Sequence, residues 1–137
     1  MARDRLIDRV ASTGAKVTPQ REVICAVLEK SRDHPDADQL WKRARRHDPQ
    51  LSMASVYRTL SALDDIGLIQ RHDFGDGRAR YEVKRASHHD HLLDIRTGKV
   101  IEFQDPELEA LKARIAERLG YNLEHHSLEL YGFPKSD

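Results

Sequence analysis

The sequence predicts an α+β fold in two parts, with helices and a β-hairpin over residues 1–84 and a smaller group of strands and one helix over residues 85–137. Helix-start signals and apolar residues at helical spacing recur in the first part, then give way to short alternating segments with glycine turns. The charge changes between the parts. Residues 1–84 carry 16 Lys and Arg against 13 Asp and Glu, a net of +3, whereas residues 85–137 carry 7 against 10, a net of −3.

Length and composition exclude several classes of protein. A chain of 137 residues fits one ordinary domain or two small ones. No run approaches the ~18 apolar residues of a membrane span, and the N-terminus lacks the apolar core of a signal peptide. We therefore expect a cytoplasmic protein without membrane contact. The single cysteine, Cys25, excludes an intrachain disulfide and a zinc site of paired thiolates, and its apolar helical surroundings predict a buried core residue.

Capping residues divide the first part into four predicted helices. Gly14 stands where a helix ends, because glycine readily adopts the left-handed conformation of a C-cap. Thr18 and Pro19 form a start signal, since threonine caps helices and proline is favoured at the first helical position. Asp36 caps the third helix in the same way. The predicted helices cover residues 3–13, residues 19–28, a segment from Ala37 through Ala44, and residues 53–63.

The fourth predicted helix is the candidate DNA-reading element. One face is apolar, and the other has hydrogen-bonding groups with no acidic residue before Asp64. Such a face can enter a DNA major groove without repelling the phosphates. Two strands, over residues 68–74 and 78–83, follow as a hairpin, and helices before a basic-tipped hairpin are typical of a winged helix-turn-helix. The polar face is expected to present Ser55, Tyr57, Arg58, Thr59 and Ser61.

The second part predicts a small α/β domain. Asp105 and Pro106 begin its helix, and His126 lies on its last strand. This part has few large apolar residues of its own, so burying the apolar face of its helix needs a second copy, and a homodimer is expected. The fold class is therefore α+β, with an N-terminal winged helix-turn-helix domain (1–84) and a small C-terminal α/β dimerisation domain (85–137). The predicted strands cover residues 91–95, 100–103 and 122–131.

Three histidines and an aspartate occupy consecutive positions, 88–91, at the start of a predicted strand. Because strand side chains alternate between faces, His89 and His91 share one face while His88 and Asp90 share the other. The cluster therefore offers half of each of two metal sites. The candidate partners are His34, Glu82 and Glu102 for the first face, and Glu109 and His126 for the second.

Each candidate partner also has a plainer interpretation. Alone, His34 before a proline is typical of a surface loop, and the three glutamates resemble solvated carboxylates. Imidazole and carboxylate ligands without sulfur favour six-coordinate Mn²⁺ or Fe²⁺, with Zn²⁺ as a surrogate that would also bind. Two other functions stay open. One is a mononuclear non-haem metalloenzyme, which also uses two histidines and a carboxylate, and the other is a metal-independent winged-helix transcription factor.

Five segments together resemble one known family, the ferric uptake regulator family, over nearly the whole chain and in the family's order. The resemblance implies a dimeric, metal-responsive transcription regulator, mainly a repressor of iron or manganese uptake and homeostasis genes. It further implies that the metal-loaded homodimer binds double-stranded DNA at AT-rich palindromic operators. The segments are ASVYRTL at 54–60, RHDF at 71–74, HHDH at 88–91, GKVIEF at 98–103 and HSLELYG at 126–132.

The family's cysteine pattern is missing here. Many members carry CxxC pairs that hold a structural zinc, but Asp94 and Thr97 stand at the first pair and no second pair exists. The chain is most similar to the iron or manganese uptake regulators of alphaproteobacteria, which implies no cysteine-bound structural zinc. Carried over by position, the resemblance implies an inter-domain regulatory site of His34, Glu82, His89, His91 and Glu102, a second metal site of His88, Asp90, Glu109 and His126, and DNA contacts from Lys16, Ser55, Tyr57 and Arg58.

Overall fold

The computed structural model describes residues 5–85 and 88–136. The described residues divide into two compact units, the first ending at Arg85 and the second running from His88 onward. Both helices and strands are present in each unit, which confirms the α+β prediction. No helix within the described ranges combines the length and the apolar composition that crossing a membrane requires.

The first unit consists of helices followed by a hairpin, in the predicted order. The caps are those expected from the sequence: the Thr18 hydroxyl accepts a hydrogen bond from the Arg21 amide, and Asp36 forms a capping box with Gln39. Capping satisfies backbone donors that the first helical turn leaves unpaired. The helices are α1 (Leu6–Ser12), α2 (Pro19–Lys30), α3 (Ala37–Ala44) and α4 (Met53–Asp65), and the strands are β1 (Ile69–Asp73) and β2 (Ala79–Val83).

A single apolar core holds these helices together. Cys25 lies in it, as its sequence context predicts. Burial raises the pKa of the Cys25 thiol to about 12, so this cysteine stays protonated at neutral pH and is a packing residue. The largest fully buried apolar side chains are Leu6, Val10, Ile24, Leu28, Leu40, Val56 and Leu60.

One expectation about α4 is wrong. Ser55 and Thr59, predicted on the polar exposed face, are only 6% and 3% exposed. The buried face of α4 is wider than its apolar stripe, because Ser55 turns toward α2 and its Oγ lies 3.3 Å from Gln20 Oε1. Tyr57, by contrast, is 55% exposed. Serine and threonine occur on both buried and exposed helix faces, so the sequence alone does not indicate which face they occupy.

The second unit is a three-stranded sheet with one helix. Its strand order is β4-β3-β5, with β3 antiparallel to β4 and parallel to β5. The predicted last strand is shorter than expected, so His126 precedes β5 and does not lie on it. The strand at the histidine cluster begins at Asp90, which leaves His88 and His89 just before it. The elements are β3 (Asp90–Asp94), β4 (Val100–Phe103), α5 (Pro106–Arg118) and β5 (Glu129–Gly132).

The second unit leaves much of its apolar surface uncovered. None of the residues described in α5 is buried, and Leu111 and Ile115 on its apolar stripe are 42% and 40% exposed. On the sheet, Ile101 and Leu130 are exposed to a similar degree. Exposed apolar side chains gathered on one small domain are the mark of an interaction surface, as the expected homodimer requires.

Candidate metal centres

The loop between α2 and α3 presents His34 in an unusual backbone conformation. Among the described non-glycine residues, His34 alone has a positive φ, at 54°, a region that such residues rarely adopt. The next residue, Pro35, accepts a backbone hydrogen bond of 2.9 Å from Tyr81 on β2, which ties the loop to the hairpin. As a result the His34 imidazole is 2% exposed, so the surface-loop interpretation does not hold.

Glu82 on β2 faces two buried imidazoles. Its Oε2 lies 2.8 Å from His34 Nε2, and its Oε1 lies 2.7 Å from His72 Nε2. All three side chains are buried, so the solvated interpretation of this glutamate is also excluded. A buried carboxylate needs a hydrogen-bonding or charged partner, and the imidazoles fill that role here. We refer to His34 and Glu82 as the N-terminal half-set.

His72 was assigned no role from the sequence. In the hairpin its strand partner is Arg80, and Gln70 is the partner of Glu82, so His72 and Glu82 are diagonal neighbours on one face of the sheet. The His72 ring also stacks on Phe74, with centroids 5.3 Å apart and an interplanar angle of 12°. The contact between His72 and Glu82 follows from the strand register and not from residue type, so predicting the register of the hairpin would have identified it.

In the second unit, β3 and β4 bring together His89, His91 and Glu102. His91 and Glu102 are direct partners across the two strands, and the His89 and His91 ring centroids are 5.0 Å apart. Each of the three residues offers one ligand atom, and these atoms lie within 4.8 Å of one another. We call them the C-terminal half-set. Two imidazoles and a carboxylate at this separation match the ligands that Mn²⁺, Fe²⁺ and Zn²⁺ accept in proteins.

The other side chains of the histidine cluster form a separate group. His88 Nε2 lies 2.9 Å from Asp90 Oδ1, and the His88 and His126 ring centroids are 3.9 Å apart. His88, Glu109 and His126 offer ligand atoms within 4.8 Å of one another. His88 and Asp90 therefore have different neighbours from His89 and His91, as predicted, although only Asp90 and His91 lie within β3. We call His88, Asp90, Glu109 and His126 the second ligand set.

Lys112 on α5 lies among the members of the second ligand set. Its Nζ is 3.0 Å from Asp90 Oδ2, 3.2 Å from Glu109 Oε1 and 3.3 Å from His126 Nδ1. The sequence interpretation missed this lysine, although its position three residues after Glu109 places both on one helical face. Helical spacing is thus the signal that could have found it.

The charges of this group are mutually stabilised. Burial tends to raise the pKa of Asp90, but hydrogen bonds from Lys112 and His88 outweigh it and hold that pKa below the usual range. Burial works in the opposite direction on Lys112, and its bonds to Asp90 and Glu109 leave the pKa of the ammonium raised. Burial, together with electrostatic interactions with His88 and Lys112, lowers the pKa of His126.

The turn after β3 is closed by a carboxylate. Asp94 Oδ1 accepts hydrogen bonds from the backbone amides of Arg96, at 2.9 Å, and Thr97, at 3.3 Å. These bonds hold the pKa of Asp94 below its ordinary value. Asp94 and Thr97 are the positions at which the resemblance would place a zinc-binding cysteine pair, so here the turn is held by a side chain–backbone motif.

The expected DNA-contacting residues differ in exposure. Lys16 precedes α2 and is exposed, and Tyr57 and Arg58 are exposed on α4. Ser55 is buried, as described above, and its Oγ accepts a 3.3 Å hydrogen bond from the Arg58 guanidinium. Exposed Tyr and Arg side chains on a helix suit hydrogen bonding to bases and phosphates, whereas Ser55 positions Arg58.

Comparison with known proteins gives one consistent answer. The model of the ferric uptake regulator family matches residues 12–131. A ferric uptake regulation protein of Rhizobium leguminosarum bv. viciae is 52% identical over 121 residues, covering 88% of this chain and 85% of that protein. A zinc-bound manganese uptake regulator structure has a TM-score of 0.82 at 49% identity, covering 96% and 99%. The Vibrio cholerae ferric uptake regulator has a TM-score of 0.85 at 36% identity, covering 92% and 97%.

Proposed function

The chain belongs to the ferric uptake regulator family, and we propose that it represses iron or manganese uptake and homeostasis genes in the cytoplasm as a metal-loaded homodimer. Proteins of this family are dimeric, metal-responsive, DNA-binding transcription regulators and not enzymes. The metalloenzyme alternative is therefore excluded. The observation that carries the proposal is the C-terminal half-set, in which two imidazoles and a carboxylate offer ligand atoms within 4.8 Å of one another.

The proposed regulatory ion takes ligands from both half-sets. The N-terminal half-set has one imidazole and one carboxylate, and the C-terminal half-set has two and one. Neither alone provides the roughly six donors that Mn²⁺ or Fe²⁺ prefers, whereas His34, Glu82, His89, His91 and Glu102 together supply five or more. The donor chemistry, nitrogen and oxygen without sulfur, fits these ions and admits Zn²⁺ as a surrogate.

The proposed regulation follows from how ligand binding shifts a conformational equilibrium. When bound, the ion supplies a link between side chains of the two units. Because the buried Glu82 is held by His34 and His72, its carboxylate is oriented before any ion arrives. A carboxylate with a fixed orientation can share an ion with the C-terminal half-set in fewer arrangements of the two units. A ligand that binds one arrangement better raises its population in proportion to the difference in affinity.

The proposed DNA-binding surface is on the first unit, which has the excess of positive charge. Tyr57 and Arg58 are exposed on α4, and Lys16 is exposed ahead of α2. In winged helix-turn-helix proteins the recognition helix enters the major groove and reads base edges with such side chains. We propose that Tyr57 and Arg58 contact an AT-rich palindromic operator, and that Lys16 reaches the adjacent groove.

The proposed homodimer forms through the second unit. The apolar stripe of α5, with Leu111 and Ile115, and Leu119 just after the helix stay exposed in one copy. A twofold axis would pair this stripe with the same surface of a second copy and bury both. Two winged helices placed by one twofold axis also match the two half-sites of a palindrome.

Operator binding with and without Mn²⁺ tests the proposal. An operator duplex selected from a random pool by the metal-loaded protein is titrated with wild type and with the His91→Ala variant, by fluorescence anisotropy. Mn²⁺ should tighten binding of wild type but leave His91→Ala unchanged, because that variant lacks a buried ligand. His125→Ala, in which an exposed histidine is removed, is the matched control and should respond as wild type does. Full-affinity binding by metal-free wild type would favour the metal-independent winged-helix alternative.

A further inference from the structure

We propose that the Lys112 ammonium is the resident cation of the second ligand set and keeps divalent metal out of it. The inference concerns a group of residues separate from the two half-sets of the proposed regulatory site. Lys112 Nζ lies between 3.0 and 3.3 Å from two oxygens of Asp90, one of Glu109 and the Nδ1 atom of His126. An ammonium has three donors, and three different side chains receive them here.

The ammonium lies among three of the four side chains of the second ligand set. An ion that took ligands from Asp90, Glu109 and His126 would need to approach all three at about 2.0–2.2 Å. The Lys112 Nζ already lies within hydrogen-bond distance of those same three groups. Like charges repel strongly at such separations when solvent is largely excluded. The Lys112 side chain is 15% exposed and that of Asp90 is fully buried.

The imidazoles of this set form a hydrogen-bond network with Asp90, Glu109 and Lys112. An ionised carboxylate only accepts hydrogen bonds, so His88 Nε2, 2.9 Å from Asp90 Oδ1, carries a proton and donates. Lys112 donates to His126 Nδ1, which leaves the proton of a neutral His126 on Nε2, 3.6 Å from Glu109 Oε2. An ion that bound either of these Nε2 atoms would first have to displace that proton. Both rings thus take part in the hydrogen-bond network around Asp90 and Lys112.

The consequence is a second unit whose buried carboxylate is neutralised by its own chain. Asp90 is 1% exposed, and a buried charge without a partner would destabilise the fold strongly. Lys112 on α5 supplies that partner and ties the helix to β3. The second unit should thus fold without an ion at this position, and metal should bind only at the proposed regulatory site.

Zinc counting on substituted proteins tests this inference. Zn²⁺ is the probe because nitrogen and oxygen sites bind it tightly. The Lys112→Met variant removes the ammonium and keeps the length of the side chain. Arg114→Met is the matched control, because it removes one positive charge from an exposed position on the same helix. Bound Zn²⁺ per chain is measured by equilibrium dialysis for the full-length protein.

Lys112→Met should bind one more Zn²⁺ per chain than wild type. Arg114→Met should match wild type. Adding His126→Gln to Lys112→Met should remove the extra ion, which assigns it to the second ligand set. The increment of one ion is the readout, so it stands whether or not the regulatory site binds metal. An unchanged count in a folded Lys112→Met variant overturns the inference.

A second measurement keeps Lys112 in place and does not depend on the folding of its variant. Wild type and His126→Gln are compared for bound Zn²⁺ and for the shift in melting temperature that Zn²⁺ causes. Because His126 is engaged by the ammonium and not by metal, both quantities should be equal in the two proteins. Loss of one ion, or of part of the thermal shift, in His126→Gln would show that metal displaces the lysine and would overturn the inference.

Discussion

Replacing His72 should weaken the proposed regulatory site although His72 is not among its ligands. His72 Nε2 lies 2.7 Å from Glu82 Oε1, on the side of the carboxylate opposite His34. In His72→Leu that contact is lost, and the Glu82 carboxylate can then rotate away from His34. Mutation of a residue that hydrogen-bonds a metal ligand typically lowers metal affinity about 10- to 100-fold.

The size of the effect follows from the contact. A hydrogen bond to a charged group contributes about 1.5–3 kcal/mol, which sets the upper limit on what ordering of Glu82 is worth. About 1.4 kcal/mol corresponds to tenfold in an equilibrium constant. We therefore expect Mn²⁺ affinity to fall roughly 10- to 100-fold in His72→Leu, in agreement with the range for residues that support metal ligands.

The assay is a Mn²⁺ titration followed by electron paramagnetic resonance of the free ion. His72→Gln should retain most of the affinity, because its amide nitrogen can donate to the same carboxylate oxygen. His47→Leu is the matched control, since His47 is exposed on the same unit. Circular dichroism checks that each variant is folded. Wild-type Mn²⁺ affinity in a folded His72→Leu variant would refute the role of His72.

Three further predictions concern DNA, the dimer and acid stability. Arg58→Ala should weaken operator binding and, if Arg58 contacts a phosphate, reduce the slope of log affinity against log salt by about 1; an unchanged affinity would exclude Arg58. Replacing Leu111 and Ile115 by Asp should give monomers by light scattering, because both side chains lie on the uncovered stripe of α5. Because the folded-state pKa of Asp90 is depressed, its ionised carboxylate stabilises the fold above the unfolded pKa of about 3.9. In urea titrations the free energy of unfolding should decrease as the pH falls through the folded-state pKa. This decrease should be smaller in Asp90→Asn, which lacks the titrating group.

Most of the fold could be predicted from local signals. Threonine, aspartate and proline at helix starts locate α2, α3 and α5 correctly, because capping is a local interaction between neighbouring residues. The last strand was placed less well. Alternation over residues 122–131 is real in the sequence, but only Glu129–Gly132 pairs with β3. Strand pairing depends on a distant segment of the chain, and the periodicity of one segment carries no information about its partner.

The candidate sites show the same division between local and distant information. Strand alternation predicts that His89 and His91 separate from His88 and Asp90, and the contacts follow that division although β3 begins only at Asp90. The buried position of His34 depends on the bond between Pro35 and β2, which is invisible in a loop sequence. Lys112 and His72 were not predicted because they hold metal ligands in place through hydrogen bonds and charge, and the ligand pattern in the sequence does not include such supporting residues.

Reciprocal binding of metal and operator tests the central claim most directly. Mn²⁺ affinity is measured for the free protein and for the protein saturated with its selected operator, and operator affinity is measured with and without Mn²⁺. If the ion regulates DNA binding, the operator raises Mn²⁺ affinity by the same factor by which Mn²⁺ raises operator affinity, on the order of 5- to 150-fold. Equal Mn²⁺ affinities in the free and operator-bound protein would contradict the account.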